Sequence, residues 1–91
     1  MEISTEYIKG WCDRQSQVSI SSKAIITTAK TDQPIRQIYA GLLRLGILST
    51  LTERKGRYEL RIGRRKELIK FRDKIGFHCP DKAEKLATTL S

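Results

Sequence analysis

The sequence predicts an α+β domain of order αββαββα with a short C-terminal helix added. Four antiparallel strands form one sheet, and every helix lies on one face of it. Three observations carry this. The hydrophobic period switches along the chain between about 3.6 and 2, marking helices and strands in turn. A hairpin followed by a helix occurs twice, and the closing segments, residues 45–47 and 75–77, stand thirty positions apart. Polar residues occupy alternate positions of the strands, so one sheet face stays uncovered.

Each element has its own signals. Ser4 is placed to cap the first helix, Glu6 favours its positive N-terminal end, and Ile3 can staple against Ile8. Ile8, Trp11 and Cys12 follow at i, i+3 and i+4 as one apolar stripe. Gly10 inside this helix costs roughly 1 kcal/mol relative to Ala. Close approach of a second helix is the natural reason for it. After Asp13 the pattern alternates, with Val18 and Ile20 pointing one way and Gln17, Ser19 and Ser21 the other. The β-branched run from Ile25 to Thr28 reads as the return strand of a hairpin.

Asp32 and Pro34 open the second helix, which buries Ile35, Ile38, Tyr39, Leu42 and Leu45 and closes at Gly46 in a left-handed cap. A second hairpin runs from about Leu48 to Ile62, turning near Lys55 and Gly56, with Tyr58, Leu60 and Ile62 on one face. The third helix turns Leu68, Phe71 and Ile75 inward and ends at Gly76. Pro80 starts the last helix, whose expected stripe is Ala83, Leu86, Ala87 and Leu90.

Ninety-one residues, 38% of them hydrophobic, are expected to make a single domain over 1–91 with one modest core. Self-association would help a core of that size. The net charge of +8 points to a polyanionic partner. It is concentrated: residues 54 to 74 hold ten of the eighteen Lys and Arg against three acidic residues. That distribution favours a binding surface over general solubility. Cys12 and Cys79 are too few for a disulfide framework, and with His78 they lack the spacing of a metal site. No apolar run reaches the ~20 residues that span a membrane, and no signal-peptide core is present. An intracellular protein with reduced thiols and no membrane association is expected.

The uncovered sheet face is predicted to carry Gln17, Ser19 and Ser21 from the first hairpin and Arg57, Glu59 and Arg61 from the second. Lys23, Thr27, Arg54 and Lys55 complete the candidate DNA-contacting set. A polar sheet rich in Arg suits the major groove, which admits β-ribbons and whose base edges Arg reads with paired hydrogen bonds.

Residues 8–16, Ile-Lys-Gly-Trp-Cys-Asp-Arg-Gln-Ser, resemble a worn LAGLIDADG motif, the signature of a family of homing endonucleases. Further matches lie at Leu43 to Ile47, at Tyr58 to Gly63, and at residues 75–77 followed by Pro80, Asp81, Lys82 and Leu86. The resemblance covers nearly the whole chain. It implies a homing-endonuclease-like fold whose motif helix packs closely on a counterpart in a second subunit. A homodimer with Ile8, Gly10 and Trp11 at the contact follows, Gly10 being the small residue that permits the approach. By the same resemblance Asp13 is the first acidic position, usually structural. Lys82 matches the basic residue near the cleavage centre, and Lys30 falls near another polar position lining it.

The departure lies at Gln15. The family places an Asp or Glu there, which binds a divalent metal between the two scissile phosphates. Such a cation takes hard anionic oxygens, activates water and offsets phosphate charge. An amide keeps the shape of Glu without its charge. Ser16, where the motif normally ends in Gly, marks the turn as altered. No catalytic residue is therefore expected, Gln15, Lys30 and Lys82 forming a degenerate site. No cofactor is expected either, Mg²⁺ entering only with the nuclease alternative. These readings combine into a homodimer that binds a pseudo-palindromic site in double-stranded DNA without cutting it, as a regulator derived from a homing endonuclease would. Two alternatives stay open: a homing endonuclease, active or inactivated by substitution at Gln15, and an RNA-binding or intron-splicing maturase relative.

Overall fold

The computed structural model describes residues 4–91. The order of elements is α1 (Thr5–Gln15), β1 (Ser16–Ser19), β2 (Ala24–Ala29), α2 (Asp32–Arg44), β3 (Thr50–Arg54), β4 (Arg57–Ile62), α3 (Arg65–Lys74) and α4 (Pro80–Leu90). The fold is α+β, as expected. The four strands form one antiparallel sheet in the order β1-β2-β4-β3, so the central pair joins the two hairpins.

Local chemistry sets the boundaries. Ser4 Oγ accepts the backbone N–H of Tyr7 at 3.1 Å and caps α1. The expected staple to Ile3 lies outside the described residues. At the other end α1 passes directly into β1, because Ser16 is already extended (φ −110°, ψ 161°). Its buried hydroxyl donates back to the Cys12 carbonyl. In the β1–β2 turn the Lys23 N–H reaches the Ile20 carbonyl at 3.3 Å, and Ser19 Oγ accepts the Ser22 N–H at 3.2 Å. The second turn has only two residues, Lys55 (φ +48°) and Gly56 (φ +78°), both left-handed. That geometry matches the right-handed twist of the flanking strands.

Gly46 closes α2 as expected, at φ +79°. The Ile47 N–H returns to the Leu42 carbonyl at 2.8 Å and the Gly46 N–H to Leu43 at 2.9 Å, the paired bonds of a Schellman cap. Side chains of α3 finish that end. Lys70 donates to the Gly46 carbonyl at 2.9 Å, Lys74 donates to the Leu45 carbonyl, and buried Glu67 accepts the Leu48 N–H at 2.9 Å. The Leu48 bond, aided by Lys70, holds the Glu67 carboxyl below its ordinary value against the opposing effect of burial. Two of the clustered lysines thus serve the fold, as cations at a helix C-terminus.

The core joins Ile8 and Cys12 of α1, Val18 and Ile25 of the first hairpin, Ile35, Ile38 and Leu42 of α2, and Leu60 and Ile62 of β4. Ile47, just past α2, and Leu68, Phe71, Ile75, Leu86 and Leu90, from α3, its end and α4, complete it. Each fully buried aliphatic or Phe side chain contributes about 1.5–3 kcal/mol. The α4 stripe differs from the expected one: Ala83 and Ala87 are exposed, while Leu86, Thr89 and Leu90 are buried. Turning this way buries both leucines against the sheet, and the Thr89 hydroxyl satisfies itself on the Lys85 carbonyl at 2.9 Å. Strand limits also shift, β2 running one residue further at each end than expected and β3 starting at Thr50 instead of Leu48.

Candidate nucleic-acid interface

Strand register decides what the open sheet face presents. Gln17, Ile26, Arg61 and Thr50 lie side by side across all four strands. Thr28, Glu59 and Thr52 form the neighbouring row on the same face, and Arg57 stands opposite Arg54 beyond it. Gln17, Thr28, Thr50, Arg54, Arg57 and Arg61 are exposed, while Ser19, Ile26, Thr52 and Glu59 are half-buried among their neighbours. Ser21 and Lys23 are exposed in the β1–β2 turn, and Lys55 is exposed in the β3–β4 turn at the opposite end of the sheet. Like charges directly opposite each other cost stability. The Arg54–Arg57 pair beside Lys55 is therefore a local excess of positive charge that an anion would relieve.

One expected contact is not on this face. Thr27 is 2% exposed and pairs with Ser16 and Leu60, whose side chains point to the core. Its neighbour Thr28 takes the outward place. Ile26, Thr50 and Thr52 were also outside the expected set. Alternation from the paired core residues Val18, Ile25 and Ile62 is the signal that locates them.

The C-terminal end of α1 meets the end of β2 and the start of β4 in an open cleft of about 550 Å³. Trp11 and Gln15 line it from α1, Thr28 to Thr31 with Pro34 from the end of β2 and the start of α2, and Arg57 from β4. Gln15 and Lys30 are thus brought together. Lys82 does not line the cleft: its ammonium donates to the carbonyls of Asp13 and, at 3.5 Å, Cys12. It caps the C-terminus of α1, where a cation is favoured. Asp13 is committed as well, accepting the backbone N–H groups of His78 (2.9 and 3.1 Å) and Cys79 (3.1 Å).

A divalent cation does not fit this donor set. The cleft offers an amide, hydroxyls and two cationic side chains, and the nearby Asp13 carboxylate is taken by backbone amides. Among the described residues no group of three or more His, Cys, Asp or Glu is placed to hold a metal ion. Cys12 is no ligand either. Burial, with the adjacent Asp13 charge, pushes its thiol up to about 12, against the opposing effects of Ser16 and Lys82.

The outward face of α1 is distinct from its core stripe. Ile8 is 1% exposed and lies within the core, so it cannot form a contact between subunits. The family resemblance suggested the contact, but Ile8 shares the inward stripe of α1 with buried Cys12, one turn on. Tyr7, 43% exposed, lies on the outer side near Gly10, and Trp11 is half-buried at its edge. Beyond its own helix turn, a Cβ built at Gly10 meets nothing within 4 Å, so no packing among the described residues requires glycine there.

Residues 2–76 match the LAGLIDADG-like domain. The chain belongs to that family. Membership makes it a homing-endonuclease-like domain of a DNA-binding class, and the fold agrees in its single antiparallel sheet and its helices. The matched span ends at Gly76, so α4 lies beyond it. No curated protein and no solved structure matches the chain. No helix among the described residues is long and apolar enough to cross a membrane.

Proposed function

We propose that this LAGLIDADG-like protein binds duplex DNA as a homodimer through the outer face of its sheet, reads base sequence there, and does not cut. The carrying observation is the row Gln17–Ile26–Arg61–Thr50 with Arg57 and Arg54 beside it, in which Gln17, Arg61, Thr50, Arg57 and Arg54 are exposed and Ile26 is half-buried between them. Arg presents a planar fork that matches guanine O6 and N7 in the major groove, and Gln offers a matched donor–acceptor pair to adenine. Ile26, between Gln17 and Arg61, is suited to a thymine methyl.

Gln15 and the engaged Asp13 carboxylate support the absence of cleavage. The open space over Gly10 beside exposed Tyr7 supports helix-to-helix association of two copies, and two-fold symmetry then calls for a pseudo-palindromic site. Because Leu86 and Leu90 enter the common core, we read residues 1–91 as a single domain. No cofactor enters this reading, and it places the protein inside the cell with the DNA.

The test is selection of bound sites from random duplex DNA, followed by competition with structured RNA. Recovery of a two-fold symmetric sequence motif is expected. Preferential binding of the RNA would replace this reading with a maturase-like one.

A further inference from the structure

We infer that the cleft between α1, the end of β2 and Arg57 is an oxyanion site that takes a phosphate group of the nucleic-acid backbone directly, without a metal ion. This rests on the duplex-binding reading for the origin of the phosphate, and on the cleft alone for the chemistry.

The lining residues supply donors and positive charge and no carboxylate: Gln15, Thr28, Lys30, Thr31 and Arg57. Lys30 and Arg57 are exposed, and neither has a hydrogen-bond or ion-pair partner among the described residues. Arg57 also faces Arg54 across the two-residue turn. Trp11 lines the same cleft, and its indole N–H is buried with no acceptor among the described residues. Lys30 and Arg57 share one deficit, an acceptor with negative charge. Charge-assisted hydrogen bonds from Lys and Arg to a phosphate oxygen are short and strong.

Position 15 selects between two ways of holding a phosphate. A carboxylate there would repel the phosphate unless a cation stood between them. The Gln15 amide removes that repulsion and adds an N–H donor. The same replacement that spoils the metal site therefore completes an anion site.

Trp11 is the single tryptophan, so its emission reports on the cleft. In EDTA and at constant ionic strength, the protein is titrated with inorganic phosphate against chloride, and separately with duplex DNA. Phosphate is expected to give a saturable change in Trp11 emission that chloride does not. The double variant Lys30→Gln, Arg57→Gln should weaken that response at least tenfold while its circular dichroism stays that of the wild type. Gln15→Glu should weaken it to a similar degree. A phosphate response no steeper than that of chloride, or one unchanged in the double variant, overturns the inference. So does a saturable response to Mg²⁺ alone, which would mark a cation site. Duplex binding with no phosphate response rejects the oxyanion site and leaves the duplex reading intact. A phosphate response without duplex binding upholds the site and rejects the duplex reading.

Discussion

The Asp13 carboxylate holds the backbone N–H of His78, at 2.9 Å to one oxygen and 3.1 Å to the other. With the 3.1 Å bond from Cys79, the last turn of α1 fixes the loop that leads into α4. Lys82 returns the favour from the first turn of α4 by donating to α1 carbonyls. The acidic residue of the motif thus acts on the fold. Asp13→Ala should cost about 1.5–3 kcal/mol, the range for hydrogen bonds to a charged group. In a domain of this size that lowers Tm by on the order of 10 °C. Thermal denaturation followed by circular dichroism checks it, and an unchanged Tm would show the contacts to be incidental.

Base reading and phosphate contact separate in a panel of single-base variants measured at two salt concentrations. Arg61 lies mid-sheet between Ile26 and Thr50 and should discriminate bases by about 1–3 kcal/mol. Arg61→Ala should therefore relax preference at one symmetric pair of positions in a site of roughly 20 bp, two turns of DNA. Lys55 projects from the turn, and Lys55→Ala should weaken all sequences alike and flatten the salt slope. Equal loss across the panel for both variants would show that the sheet does not read bases.

Gly10→Leu is expected to leave the subunit folded, since beyond its own helix turn no described residue lies within 4 Å of the added Cβ. It should hold two α1 helices apart and so shift the protein toward monomer and weaken DNA binding. Light scattering at micromolar concentration reads the first effect, and a monomeric wild type that binds DNA tightly would refute the dimer.

Purified protein should leave duplex DNA intact in Mg²⁺ or Mn²⁺. Position 15 is an amide, and Asp13 is bound to two backbone N–H groups. Metal-dependent strand cleavage that persists through repurification and vanishes on heat inactivation would contradict this.

Cys12 should resist alkylation in the native protein while half-buried Cys79 reacts. The Cys12 thiol is raised from 9.0 to about 12, foremost by burial, so the folded state keeps it protonated. Its contribution to stability is fully present below about pH 9 and is lost as pH rises toward 12, because the unfolded chain ionises first. Mass spectrometry after iodoacetamide treatment near pH 8.5 should show one adduct in the native state and two after unfolding. Two adducts at equal rates would mean that α1 opens readily.

Element order was legible in the sequence because caps, turn residues and periodicity act over a few positions. Ser4, Gly46, Gly56 and Gly76 each announce a boundary through local backbone chemistry, and each stands where expected. The amide at position 15 and the concentration of positive charge between residues 54 and 74 are likewise properties of the chain itself. What the sequence left ambiguous was which side of an element faces inward. Residues 25–28, Ile-Ile-Thr-Thr, do not alternate in polarity and so cannot phase themselves; pairing with Leu60 and Ile62 turns Thr27 in and Thr28 out. The alanines of α4 were assigned by helical spacing alone, and burial against the sheet sets the final rotation. Lys70, Lys74 and Lys82 look in sequence like three more cations for a polyanion, yet each ends on a backbone carbonyl at the C-terminal end of another helix, in its last turn or just past it. Helix ends leave carbonyls unpaired, and only the packed fold brings a lysine from elsewhere in the chain to satisfy them.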